Sequence, residues 1–203
     1  MNRLATLIFC FLVSWTFSTS LAAQQELDDP YIMVQQVANQ TFLRIKRERE
    51  NITFNPLIIN YIVEQELLPF VDYRFSALKV LGKYFREYQR AEIDEYVAVF
   101  KDYSVSVFSN ALKYYDDQTV EFEPPQDVTD KKHAVVRMRI NNLNKSINLS
   151  FLARKDSQTS EWRVYDIVAE GISMLSSLHS EFEPILRKEG LKAVVAAMSQ
   201  PAK

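Results

Sequence analysis

The chain has 203 residues, 47% apolar and 25% charged, a globular composition that excludes disorder and allows one domain or at most two small ones. Lysine and arginine number 24 against 26 acidic residues, with no basic run, which excludes a strongly basic nucleic-acid binder. Three isolated glycines (Gly82, Gly171, Gly190) supply no phosphate-cradling loop, and two histidines (His133, His179) are too few for an ordinary zinc site.

Met1–Ala22 reads as a secretory signal. Arg3 stands in a short n-region, an apolar stretch runs from Leu4 to Phe17, and Ser20-Leu21-Ala22 fits a small-x-small cleavage site, with cleavage after Ala23 as the alternative. The apolar stretch falls short of the ~20 residues a membrane-spanning helix needs. Cys10 lies inside it, so residues 23–203 carry no cysteine. A secreted domain of this size without disulfides fits a bacterial periplasm. Loss of Arg3 takes the net charge from −2 to −3.

Helical spacing then fills the first half. Asp29-Pro30 supplies an N-cap and a proline at the first helical position, and Val34, Val37, Ala38, Thr41, Phe42 and Ile45 recur on one face as far as Arg47. Asn55-Pro56 opens a second helix through Leu57, Ile58, Tyr61, Ile62 and Leu68, stopped by Pro69. Asp72 caps a third through Phe75, Leu78, Leu81 and Phe85. The fourth holds its stripe from Ile93 through Tyr96, Val97, Phe100, Ser104, Val107, Phe108, Ala111 and Leu112 to Tyr115.

The period then changes to two. Thr119–Glu123 is a short strand closed by Pro124-Pro125. Ala134, Val136, Met138 and Ile140 alternate with Val135, Arg137 and Arg139. Beyond the turn Asn141–Asn144, Ile147, Leu149, Phe151 and Ala153 alternate with polar residues. Pairing across that turn places Met138, Ile140, Ile147, Leu149 and Phe151 on one face of a sheet. Trp162–Ala169 is the fourth strand. Ser173 then caps a helix at Met174, Leu175 and Leu178, and Ser180–Glu183 has the spacing of a capping box for a separate segment. Leu191, Val194, Val195 and Met198 close the chain beyond Gly190. Helices at 29–116, strands at 119–170 and helices at 172–198 make one α+β domain over 23–203, its helices on one face of a four-stranded antiparallel sheet.

Few residues suggest catalysis. His133 begins a strand and His179 sits mid-helix, and both read as solvated or edge histidines. Glu121/Glu123 and Asp116/Asp117 read as an outward strand face and a polar helix end rather than acid–base pairs. Tyr165-Asp166 is a polar dyad in an apolar strand, better suited to fixing the strand-to-helix turn than to chemistry. The aromatic content, 12%, is more informative. Tyr61, Tyr73, Tyr84, Tyr88, Tyr96, Tyr103, Tyr114 and Tyr115 lie in the second to fourth helices with Phe70, Phe75, Phe85, Phe100 and Phe108. The fourth helix is apolar over more than one stripe, so it is either buried on both sides or lines a cavity for an amphiphile.

Several segments resemble the MlaC family, the periplasmic phospholipid-binding components of the Mla lipid-trafficking system, also called toluene-tolerance proteins. They are Asp29-Pro30-Tyr31, Ala38–Phe42, Glu66–Arg74, Leu78–Gly82 and, most specific, Trp162–Ser173, in an order that holds from Asp29 to about Met198. The resemblance implies a fold akin to nuclear transport factor 2, with sheet and helices enclosing an acyl-chain pocket. It implies a soluble shuttle between an outer-membrane lipoprotein–porin complex and an inner-membrane ABC transporter complex, maintaining outer-membrane lipid asymmetry, with no cofactor and no turnover. The chain is expected to act as a monomer. The lipid-binding wall would come from Leu78, Leu81, Phe85, Phe100, Tyr103, Val107, Met138, Ile140, Ile147, Leu149, Phe151, Tyr165 and Ile167. Two alternatives stay open. An enzyme of the same fold would use Tyr165, Asp166 and His133 in a polar cavity. A receptor passing a small solute to an ABC transporter would need polar residues where the inward strand positions read Val136, Met138, Ile140, Ile147, Leu149 and Phe151.

Overall fold

The computed structural model describes residues 29–116, 118–142 and 145–200. The expected signal and both cleavage positions lie outside them. Helix α1 (Pro30–Arg47) begins as its sequence dictates: the Asp29 carboxylate accepts from the Tyr31 backbone N–H at 2.7 Å, and Arg44, Lys46 and Arg47 face the negative end of the helix dipole. A short helix absent from the periodic pattern, α2 (Arg49–Phe54), follows and buries none of its residues.

The spacing predicts one helix through Leu68. The chain instead forms α3 (Ile58–Ile62), a π turn (Val63–Leu67) and a 3₁₀ turn (Leu68–Phe70). Pro69 has no N–H to donate to the Gln65 carbonyl, so the α ladder cannot run on through this stretch. Helix α4 (Tyr73–Leu81) starts on the Asp72 carboxylate, which accepts from Phe75 N at 3.0 Å. It ends sooner than the spacing predicts, because Gly82 turns to φ +57 and Phe85 falls in a 3₁₀ segment, Gly82–Glu87. Helix α5 (Arg90–Leu112) opens on a Gln89/Glu92 capping box and stops short of Tyr115.

Among the described residues five strands rather than four follow, antiparallel and in sequential order: β1 (Thr119–Phe122), β2 (His133–Asn142), β3 (Lys145–Lys155), β4 (Trp162–Ala169) and β5 (Ile172–Ser173). The extra strand arises because Glu170 and Gly171 both take positive φ, turning the chain back so that Ser173 pairs with Val168. The expected hairpin register is present: Val136 opposes Phe151, Met138 opposes Leu149 and Ile140 opposes Ile147. Helix α6 (Met174–Glu189) is continuous through Ser180, so no new helix starts at the capping-box spacing. The Ser180 hydroxyl donates within the helix to Ser176 O at 2.9 Å. Gly190, at φ +83, separates α6 from α7 (Leu191–Met198).

Packing divides into three apolar cores. In the first, Val80 and Leu81 of α4, Tyr96 and Phe100 of α5, Phe182 of α6 and Val194 of α7 are almost wholly enclosed. In the second, Met33, Val34 and Val37 of α1 lie against Ala134, Val136, Ala153, Trp162 and Val164 of the sheet. The third is small and holds Val63, Leu68, Val105 and Phe108. Ile167 touches both the second and the third.

Candidate functional site

Where these cores meet, α5 and β4 face one another across a narrow cleft. Phe100, Ser104 and Phe108, at i, i+4 and i+8 on α5, form one wall. Val164, Tyr165, Asp166 and Ile167 form the other, and Val71, Ser76 and Met174 close the ends. The free space is about 10 Å³, room for about one water. Beyond it the inner sheet face continues through half-buried Phe151, Leu149 and Ile140 to Ile147, which is 37% exposed. Burial falls along this face because α1 packs against Ala134, Val136 and Ala153, near the other end of the hairpin.

The cleft's polar groups are engaged in building its walls. Ser76 Oγ donates to Tyr165 O at 2.6 Å, and Ser104 Oγ donates to Phe100 O at 2.7 Å. The buried Asp166 carboxylate accepts from Ser173 Oγ at 2.6 Å and from Leu175 N at 3.1 Å, joining β4 to the start of α6. The Tyr165 ring meets Phe75 edge-on at 5.2 Å, and burial first, then the Asp166 charge, pushes its hydroxyl pKa up. At the start of α4, Val71 bridges to Val164, and Arg154 Nε donates to the Asp72 carboxylate at 2.6 Å while its guanidinium covers Phe75 at 4.3 Å. These bonds position backbone. The remaining surface of the cleft is apolar, suited to hydrocarbon.

The expected wall residues do not all come together. Phe100, Tyr165 and Ile167 line the cleft. Leu81 is enclosed in the first core, with Leu78, Phe85 and Tyr103 packed around it. Val107 is half-buried on α5. Met138 is buried in the sheet, while Ile140, Leu149, Phe151 and Ile147 form the graded face beyond the cleft. Sequence spacing passed over Val71, Ser76, Ser104, Phe108, Val164, Asp166 and Met174 as wall residues. The α5 members share a fourfold spacing that could have marked them. Val71 is brought to the site by contacts distant in sequence, its bridge to Val164 and its packing against the third core.

Other candidates fall elsewhere. His179 is half-buried and anchored: its Nδ1 lies 2.7 Å from Val80 O, and a Cβ on Gly82 would sit 3.4 Å from its ring. His133 stands exposed at the start of β2, away from the cleft walls. Glu121 and Glu123 face solvent, and exposed Asp116 pairs with Arg49 at 2.6 Å. Asp117 lies outside the described residues. An open surface groove of about 530 Å³ runs past Lys83, Tyr84, His179 and Glu183, where the Tyr84 hydroxyl donates to Glu183 at 3.1 Å. No helix among the described residues is long and apolar enough to cross a membrane.

A family model described as MlaC protein matches residues 35–200. The chain is 30% identical over 175 residues to the intermembrane phospholipid transport system binding protein MlaC of Haemophilus influenzae, covering 85% of this chain and 82% of that protein. It is 22% identical over 162 residues to the toluene tolerance protein ttg2D of Pseudomonas putida, covering 79% and 74%. Among solved structures, a phospholipid-binding protein from Ralstonia solanacearum, in complex with a phospholipid, superposes with a TM-score of 0.75 at 21% identity over 84% of this chain and 95% of that one. That superposition establishes a shared fold.

Proposed function

The chain belongs to the MlaC family, and from this premise we propose that it is a periplasmic phospholipid carrier without catalytic turnover. It would take lipid between an outer-membrane lipoprotein–porin complex and an inner-membrane ABC transporter complex, and so maintain outer-membrane lipid asymmetry. The observation that carries the reading is the α5–β4 cleft, whose polar groups are engaged in hydrogen bonds and whose remaining lining is apolar, next to an apolar sheet face that opens toward solvent at Ile147.

The energetics make such a carrier necessary. Two acyl chains of roughly 15 methylenes each, at ~0.8 kcal/mol per CH₂, cost roughly 24 kcal/mol to expose to water. Unassisted passage through an aqueous compartment is therefore negligible. Pockets for small ligands hold about 300–1,000 Å³, so the cleft must widen to take hydrocarbon. Phe100 and Phe108 on one wall and Val164 and Ile167 on the other supply its apolar lining, so the gap would widen without breaking the polar bonds within each wall. Acyl chains entering the gap replace the lost contacts with equivalent ones. The head group can stay at the solvent end beside Ile147, where no buried charge has to be matched.

Extraction of protein purified without detergent, followed by mass spectrometry, tests this proposal. Diacyl phospholipid is the expected product. A freshly purified, folded sample with no lipid above background refutes the carrier reading, and recovery of a polar solute in its place supports the solute-receptor alternative.

A further inference from the structure

Large apolar side chains stand in water around one end of the molecule. Phe54 closes α2, and Leu57 and Tyr61, four residues apart, share the outward side of α3, whose Ile59 and Ile62 are buried. Tyr114 follows α5. These four are between 60% and 87% exposed. Three contacts fix where they lie. Arg49 at the start of α2 pairs with Asp116 at 2.6 Å, Phe42 of α1 stacks on Tyr115 at 4.2 Å, and Thr119 of β1 pairs with Asn141 of β2. The α2–α3 turn, the α5–β1 connection and the Asn141/Ser146 end of the β2–β3 pair, next to its turn, therefore share one end. That is the end at which Ile147 emerges from the inner sheet face.

We propose that this apolar end rests on the interfacial zone of a phospholipid bilayer, so that the mouth of the cleft faces the membrane during lipid exchange. The proposal rests on the phospholipid-carrier reading and adds the surface through which exchange occurs. The size of the patch favours a bilayer. At roughly 150–250 Å² for a complete aromatic side chain, the four side chains expose roughly 500–600 Å². A stable protein interface needs about 800 Å² from each partner. The shape agrees, because Phe54, Leu57 and Tyr61 project from a turn between two short helices and form no groove. Phenylalanine, leucine and tyrosine are the residues that settle at the boundary between head groups and acyl chains. Charge is balanced around them: Arg44 pairs with Glu66, Arg49 with Asp116, and Arg47 lies 3.9 Å from Glu48. Attraction to anionic lipid is therefore not the driving contribution.

Co-sedimentation of the purified protein with phosphatidylcholine vesicles, and with phosphatidylcholine vesicles containing phosphatidylglycerol, tests this surface. The wild type is expected to bind both with little salt dependence. Phe54→Ser/Leu57→Ser, altered only where the surface is exposed, should keep its melting temperature and bind about tenfold more weakly or worse. A Leu57→Trp protein should shift its emission to the blue on vesicle addition, as the indole leaves water. The proposal is overturned if the wild type binds neither vesicle, binds only the anionic one, or is matched by the double variant. If the double variant loses lipid delivery although the wild type binds no vesicle, the patch belongs to a protein partner and the proposal is equally overturned. Phospholipid that co-purifies with a wild type unable to bind vesicles sinks this inference and leaves the carrier reading standing. Vesicle binding by a protein that carries no lipid does the opposite.

Discussion

Asp166→Ala should destabilise the protein by about 3 kcal/mol, because the carboxylate holds the junction between sheet and helical layer. Asp166 is buried at 6% exposure and accepts from Ser173 Oγ at 2.6 Å and Leu175 N at 3.1 Å. Hydrogen bonds to a charged acceptor contribute about 1.5–3 kcal/mol each. Relief from burying the carboxylate offsets part of the loss, which leaves about 3 kcal/mol from a gross total of about 3–6. Leu175 N–H would lose its acceptor beside the first core. Ser173 would lose the partner that orients it, and its Oγ accepts from Ser176 N at 3.1 Å to cap α6. Asp166→Asn keeps one acceptor oxygen for Leu175 N but loses the charge, and its N–H₂ stands where an oxygen accepts from Ser173 Oγ, so that bond must reverse and about half of the loss should remain. Urea unfolding followed by circular dichroism reads both variants, with unchanged m-values showing that the native state stays compact. At ~2–4 °C per kcal/mol for a domain of this size, the alanine variant should melt roughly 6–12 °C lower. A loss below about 1 kcal/mol for Asp166→Ala would show that the junction does not depend on this carboxylate. The catalytic reading of Tyr165-Asp166, which expects a chemical role and little effect on stability, would then regain its force.

Two further outcomes are expected. Ile147→Asp puts its carboxylate where the wild-type side chain is already 37% exposed, so the variant should stay folded and monomeric while its co-purifying phospholipid falls. Asn148→Asp on the opposite sheet face should change neither property, and undiminished lipid in a folded Ile147→Asp protein removes that residue from the wall. Burial pushes the Tyr96 hydroxyl pKa well above its ordinary value near 10. Above pH 10 the unfolded chain therefore loses this proton first, and stability should fall with rising pH. Tyr96→Phe should flatten that alkaline slope and lose the hydroxyl's 3.1 Å bond to Ala77 O, a cost of about 1 kcal/mol at neutral pH. An unchanged alkaline slope in urea titrations refutes the assignment.

The features legible in the sequence are those set by local period. The α5 stripe and the β2–β3 register follow from side-chain spacing alone, because a slip of one residue would turn the whole apolar set to solvent. Features that depend on distant partners escaped it. Glu170 adopts φ +49, a conformation costly for a residue with a Cβ. It is held there because its N–H donates to Asn148 O at 2.9 Å and its carboxylate accepts from Asn148 N. Nothing near Glu170 in sequence announces that clasp, so β5 was invisible. Ser180–Glu183 carried a valid local start signal, but Phe182 and Leu186 are buried in the same core as Leu175 and Leu178, and their packing keeps α6 in one piece. The aromatic excess pointed correctly to two possibilities, core or cavity. It could not assign single residues, because Leu81 and Phe100 share α-helical spacing and deep burial, yet only Phe100 also touches the cleft.

The position of Phe100 bears on how a closed cleft could serve the proposed carrier. Its ring belongs to the first core and also forms the wall opposite Ile167, so parting the walls exposes apolar surface on both sides at about 25 cal/mol per Å². Acyl chains filling the gap restore that burial, which makes opening inexpensive only while hydrocarbon is present. An opened, water-filled cleft bears the whole cost. On the proposed carrier reading, lipid leaving for a membrane would let the walls bearing Phe100, Phe108, Val164 and Ile167 close again, and closure would contribute favourably to delivery. Loading is the reverse exchange, with the same contacts given up as lipid enters. On that reading the seam would impose no direction of its own, and the lipid's free energy in the proposed donor and acceptor assemblies would decide which way transport runs.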